Sequence, residues 1–256
     1  MGEALAVGLV ENGWEPSSMA IAEVDADRRR LLEERLPGVR VVPNPAWAAG
    51  DADVLVVAVK PGDAVAALSS CADVLPEHSL VLSIAAGVTL ASLEAAAPGH
   101  PVVRAMPNTG ALVGRGAAAI APGTLASDTD LEGCERILTA VGTVVRVPEA
   151  QLDAVTGLSG SGPAYVFLVA EAMIEAGVLA GLPRDVSEKL VRQTLLGAAT
   201  LLADETASPE SLRAAVTSPG GTTAAGLAVL ETHGVRAAFL EAITAATRRS
   251  HELGQR

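Results

Sequence analysis

The feature that most constrains this chain is a change of rhythm near residue 149. Before it, short apolar runs alternate with helical segments; after it, only helical spacing remains. Gly2 to Asn12 sets Leu5, Leu9 and Val10 at helical spacing and stops at Gly13, a usual helix terminator. Met19 to Val24 reads as a strand, Asp27 to Arg35 as a charged helix closed by Pro37-Gly38, and Val39 to Val42 as a second strand. Asn44 to Ala49 makes a short helix or turn. Val54 to Val59 is the strongest strand signal, a continuous apolar run of the kind buried on both faces, and it ends at Lys60-Pro61-Gly62. A helix (Ala64 to Leu75), a strand (Leu80 to Ile84), a helix (Leu90 to Ala96) and a strand (Val102 to Ala105) follow. Strands spaced by helices imply βαβ units and a parallel sheet.

From Glu149 onward, apolar helical stretches cover Ala154–Leu158, Ala164–Ala180, Arg184–Ala203, Ser208–Val216, Thr223–Glu231 and Val235–Leu253, separated by Gly or Pro. Several are apolar on more than one face, as helices buried against a partner subunit are; an ordinary monomeric helical core gives the same periodicity. The pattern alone therefore suggests a nucleotide-binding domain joined to a dimerising substrate domain. Half of the 256 residues are hydrophobic but only 2% are aromatic, so the core is built of Ala, Val, Leu and Ile.

A net charge of −12 argues against nucleic acid as a main partner, because phosphate backbones need a basic face. Cys71 and Cys134 lie far apart, without the spacing of a disulfide framework or zinc site, and no metal is expected. The N-terminus lacks the positive charge of a signal peptide, and no apolar run is expected to reach membrane-spanning length. A cytoplasmic protein without a membrane partner is expected.

A dinucleotide-binding unit needs a strand, then G-x-G-x-x-G, then a helix facing the pyrophosphate. This chain starts at the helix. Gly2, followed by Glu3-Ala4-Leu5, looks like the third glycine, and Glu23 or Asp25 sits where the ribose-binding carboxylate belongs. The preceding strand and the first two glycines are absent. The expectation is a start assigned too late, at an internal Met, with a damaged homologue as the other reading. In-frame DNA upstream of Met1 discriminates them, and activity is expected only with the segment restored.

Four stretches carry a family resemblance. They are Ala58-Val59-Lys60-Pro61; Arg104-Ala105-Met106-Pro107-Asn108-Thr109-Gly110-Ala111; Asp153 to Tyr165, containing Thr156-Gly157-Leu158-Ser159-Gly160-Ser161-Gly162-Pro163; and Ser218-Pro219-Gly220-Gly221-Thr222-Thr223. Together they resemble pyrroline-5-carboxylate reductase, over essentially the whole chain. The resemblance implies an α/β N-terminal Rossmann-like domain, first strand absent, at residues 1–148, and an all-α dimerisation and substrate domain at 149–256. It implies a homodimer or higher homo-oligomer.

Read from chemistry, Pro219-Gly220-Gly221 is a turn with unshielded amides, and Thr222-Thr223 begins a helix; amides plus the positive helix end make an anion site. An N-cap after a Pro-Gly turn accounts for the same residues structurally. The resemblance assigns Ser218, Gly220, Gly221, Thr222 and Thr223 to the substrate, Thr223 being the residue that hydrogen-bonds the ring nitrogen, and associates Glu149 with substrate too. It assigns Met1, Gly2, Asn44, Val59, Lys60, Pro61 and Ala86 to the cofactor; Glu23, at its strand end, and Asn108, at another, join them by position. That cofactor is NADP by resemblance, with NAD left open. Glu23 suits the NAD ribose, whereas Arg28, Arg29 and Arg30 suit the extra phosphate of NADP.

Ser159-Gly160-Ser161-Gly162-Pro163 fails the spacing of a hydrolase nucleophile and reads instead as small residues that let helices approach. His78, His100, His233 and His251 receive no role. Two departures from the family stand out. Ala214-Ala215 replaces polar residues, one of which reaches the cofactor from the partner subunit, and Gly110 replaces a proline, which is expected to loosen its loop. The implied reaction is hydride transfer from reduced nicotinamide to C5 of 1-pyrroline-5-carboxylate, giving L-proline. Two alternatives remain: a non-catalytic dimeric homologue, and another imine or hydroxyacid reductase on the same scaffold.

Overall fold

A computed structural model describes residues 1–254, and the chain packs as two compact units. The first comprises Met1–Ser161 with residues from Thr244 on; the second is Gly162–Ile243. By packing, the first unit extends to Ser161 and takes in the end of the last helix.

The first unit opens with α1 (Gly2–Glu11), β1 (Ala20–Ala22), α2 (Ala26–Arg35), β2 (Arg40–Val42) and α3 (Pro45–Ala49). There follow β3 (Val54–Val57), α4 (Pro61–Ala72), β4 (Leu80–Ser83), α5 (Leu90–Ala96) and β5 (Val102–Pro107). The run then continues through β6 (Gly116–Pro122), α6 (Asp128–Thr139), β7 (Gly142–Arg146) and α7 (Leu152–Val155). The strands form two sheets, a parallel pair β1-β2 and a five-stranded sheet in the order β3-β4-β5-β6-β7. The larger sheet is mixed: β5 and β6 run antiparallel and its other pairs parallel. The all-parallel expectation fails there because Thr109–Val113 makes only a short 3-10 turn, too short for the helical crossover that parallel neighbours need.

Side-chain alternation sorts the core onto both faces of this sheet. Val81, Val102 and Ala119 join Leu68, Cys71 and Leu93 on one side; Leu82, Val103 and Ile120 join Leu5, Leu9, Cys134 and Leu138 on the other. A smaller cluster of Ala6, Leu32, Leu36 and Val39 lies under β1-β2. The buried centre is β4, all four residues of which are buried. The strand expected to be deepest, Val54–Val59, is only partly buried, and Val59 is exposed. The reason is its place: among the described residues β3 has a strand neighbour on one edge alone. Both cysteines are free and buried, and burial pushes the Cys134 thiol up to about 12, which keeps it unreactive.

The second unit contains α8 (Gly162–Leu179), α9 (Arg184–Leu202), α10 (Pro209–Ala215), α11 (Thr222–Thr232) and the start of α12 (Val235–Gly254). Within it the Ser187 hydroxyl donates to the Ile174 carbonyl (2.9 Å), and Tyr165 meets Phe239 edge-to-face. A continuous helical stretch, Glu149–Leu179, has the length and mean hydropathy (1.4) of a membrane crossing, contrary to the sequence expectation. Its Gly and Ser residues had divided it into separate runs. In the structure a π-helical turn over Thr156–Gly160 carries the helix through them.

Candidate active site

Each cofactor residue expected from the sequence sits at the carboxyl end of a strand or the start of a helix. This is the edge where open α/β sheets bind ligands. Glu23 follows β1, its backbone N–H bonded to the Val42 carbonyl and its side chain accepting from the Asp25 amide (3.0 Å). Asn44 follows β2 and caps α3 through the Ala46 amide (2.9 Å). Lys60 and Val59 follow β3, both exposed; Lys60 is the N-cap of α4 and Pro61 its first residue. Ala86 is exposed just past β4.

Met1 is the N-cap of α1, and no side chain caps that helix. Gly2 has a further constraint: a Cβ there would lie 2.8 Å from the Ala58 Cβ, so only glycine lets α1 approach the β3 end this closely. That is the work of the third glycine in a dinucleotide fold. The open α1 amides, the cradle at Gly2, the Glu23 carboxylate and the Lys60 ammonium together suit a dinucleotide.

Asn108, after β5, is engaged locally. Its side-chain oxygen accepts from the Gly110 and Ala117 amides (both 3.1 Å), and its amide nitrogen donates to the Ser159 carbonyl (3.0 Å). These bonds correct the expectation that Gly110 loosens the loop. A proline at 110 would lose the Asn108 bond, and a Cβ there would stand 2.5 Å from the Arg115 carbonyl oxygen. Gly160 approaches the Met106 side chain, so at that position the small residue admits a residue of β5.

Glu149 lies in the first unit, where one carboxylate oxygen accepts from both the Arg104 guanidinium (2.9 Å) and the Leu90 amide (2.7 Å). Arg104 is almost wholly buried on β5, so Glu149 neutralises an interior charge and starts α5. Sequence reasoning gave Arg104 no role; the signal was there, a lone arginine in an apolar strand. Asp153 was likewise passed over as a partner. It accepts from Ser250 Oγ (2.6 Å) and lies 3.3 Å from His251 Nδ1, tying the end of α12 to α7.

The residues expected at the substrate, Ser218 to Thr223, form a turn that runs into α11 in the second unit. Gly220 takes φ +70°, a left-handed conformation that disfavours any residue with a Cβ. The turn closes with the Gly221 amide on the Ser218 carbonyl (3.0 Å). Gly221 is the N-cap of α11 and no side-chain hydrogen bond caps the helix. The Thr222, Thr223 and Ala224 amides therefore begin the helix without intrahelical acceptors, beside two threonine hydroxyls. Such an end favours a carboxylate.

Residues 149–253 match the family model described as pyrroline-5-carboxylate reductase dimerisation. Residues 1–87 match that described as NADP oxidoreductase, coenzyme F420-dependent. A pyrroline-5-carboxylate reductase of Synechocystis is 46% identical, the match covering all of this chain and 96% of the relative. The structure of a pyrroline-5-carboxylate reductase from Coxiella burnetii superposes with a TM-score of 0.94 at 37% identity, covering 98% of this chain and 94% of that one. That of the Plasmodium falciparum pyrroline carboxylate reductase with NADP bound gives 0.85 at 30% identity, covering 99% and 94%. The chain therefore belongs to the pyrroline-5-carboxylate reductase family.

Proposed function

We propose that this protein reduces 1-pyrroline-5-carboxylate to L-proline with NADPH, as a cytoplasmic homodimer or higher homo-oligomer. The observation that carries the reading is the uncapped start of α11 behind the left-handed turn at Gly220. A cyclic imino acid presents one carboxylate and one ring nitrogen a short distance apart. The Thr222, Thr223 and Ala224 amides hold the carboxylate, aided by Ser218, and the Thr223 hydroxyl faces the ring nitrogen. Bound as the protonated iminium, the substrate needs no strong general acid. That agrees with a loop lacking His and carboxylates. NADPH supplies the hydride that C5 accepts, and the C5–N double bond becomes the single bond of proline, its nitrogen keeping the iminium proton.

In the first unit Gly2 admits the α1 end to the pyrophosphate, Lys60 adds positive charge at the β3 end, and Val59, Pro61 and Ala86 form apolar walls. Glu23 and Asn44 serve the adenosine half. Asn108 acts by holding the loop after β5, and Glu149 by holding Arg104. The exposed apolar residues of the second unit supply the oligomer contact.

The test assays proline formation against NADPH oxidation by the protein. Proline formed in step with NADPH consumed is expected. Thr223→Ala should lower turnover on the order of a hundredfold, the usual effect of removing one positioned donor. Unchanged kinetics would remove Thr223 from the mechanism.

A further inference from the structure

We infer that Glu3 tunes the choice between NADPH and NADH by competing with the adenosine 2′-phosphate for the guanidinium of Arg28. The inference rests on reading the first unit as the dinucleotide unit. In such folds the carboxylate at this strand end takes the ribose 2′-hydroxyl, and a neighbouring arginine takes the 2′-phosphate where one is present. Helix α2 offers four arginines for that task, and the structure separates them.

Arg29 donates to the Glu23 and Val24 carbonyls (2.8 Å each), which ties it to the backbone of the turn. Arg30 pairs with Asp27, its neighbour on the helix. Arg35 lies at the far end of α2 and pairs with Glu3 (2.7 Å). Arg28 belongs to the turn itself, since its amide donates to the Asp25 carboxylate (2.9 Å), yet its guanidinium reaches across to Glu3 on α1 (2.6 Å). Glu3, Arg28, Leu31, Glu34 and Arg35 line an open depression of about 330 Å³.

The charges around Arg28 are one-sided. Glu3, Glu23 and Asp25 all act to raise its pKa, and the Arg28 hydrogen bond is the largest cause of the lowered pKa of Glu3. A 2′-phosphate entering this turn meets carboxylates unless Arg28 leaves Glu3 and turns to it. Arg35 remains on Glu3 when Arg28 leaves, so the carboxylate keeps a partner and the exchange has two stable arrangements. NADH has no phosphate to draw Arg28 away, and Glu23 takes its ribose diol. Glu3 therefore opposes the phosphorylated dinucleotide and leaves the other unaffected.

The test uses two nucleotides that need only the adenosine subsite: adenosine 2′,5′-bisphosphate and AMP, titrated calorimetrically into the full chain at low salt. Glu3→Gln should tighten the bisphosphate about tenfold and change AMP less than about twofold, as expected for freeing a charge-assisted bond to phosphate. Arg28→Ala should lose the discrimination and should make Glu3→Gln silent in the double variant. Arg35→Ala, which leaves the Arg28–Glu3 pair in place, should give no gain.

The inference is overturned if Glu3→Gln moves both nucleotides equally or neither, if Arg28→Ala still prefers the bisphosphate, or if the folded chain binds neither. Because Arg28 is half-exposed, its variant keeps the question answerable should Glu3→Gln unfold. The expected pattern in a protein that forms no proline would overturn the reductase reading alone. Proline formation with a flat pattern would overturn this inference alone.

Discussion

The two units bury their apolar residues differently. In the first, strands β4 and β5 are closed on both faces, and Val81, Leu82, Val102, Val103 and Leu93 have no exposed surface. In the second, among the described residues, Ser187 and Val191 alone are buried, while Phe167, Leu168, Leu179, Leu196 and Leu201 are each more than half exposed. The first unit finishes its core within one chain. The second carries helices whose apolar faces a single chain leaves uncovered, the signature of a surface made for association. Stability of the first unit is then expected to be independent of protomer concentration, and that of the second to rise with it.

The largest effect that could break this contrast is a core truncation. Leu82→Ala should lower the unfolding free energy by about 2–5 kcal/mol in urea melts, whereas Leu179→Ala, 91% exposed in the single chain, should shift it by under about 0.5 kcal/mol at protomer concentrations too low for association. Equal losses would erase the distinction. Next comes association. Leu168→Asp should weaken the oligomer on the order of a hundredfold by sedimentation, a hot-spot effect, while leaving the α/β unit folded. An unchanged mass would take Leu168 out of the contact.

Glu149→Ala sharpens the comparison from inside the first unit. It strands the buried Arg104 and uncaps the Leu90 amide, at a cost of about 2 kcal/mol measured by thermal or urea unfolding. The smallest effect lies on the surface. Arg146 holds the Glu135 carboxyl below its ordinary value of 4.5 through hydrogen bonds of 2.7 and 2.8 Å. A depressed carboxylate contributes stability above its unfolded pKa, and that contribution is lost as pH falls through the folded value. Acid titration of Glu135→Gln should therefore show a shallower loss below pH 4.5, by under about 1 kcal/mol since the pair is solvated.

The helices of the second unit were legible from spacing, because long 3.6-residue patterns are strong signals. So were the strands up to β5 and the Pro-Gly turn that opens α11. What escaped was set by tertiary placement. Strand β6 is Ala-rich (Gly116–Pro122) and has little local strand preference; its pairing with β5 makes it a strand. The shallow burial of Val54–Val59 follows from which edges of β3 are paired, and composition carries no trace of that. Asn108 and Glu149 read as ligand groups in sequence, and the structure engages both through hydrogen bonds to residues far along the chain, Ser159 for one and Arg104 for the other. The antiparallel turn into β6 followed from the shortness of its connection, which periodicity does not measure.

The account turns on where the hydride lands. Incubating the protein with NADPH deuterated at the transferred position and 1-pyrroline-5-carboxylate, then reading the product by mass spectrometry and NMR, decides it. The account predicts proline labelled at C5 in proportion to the cofactor oxidised. Unlabelled proline, or cofactor and imino acid both returned unchanged by a folded oligomer, would contradict it.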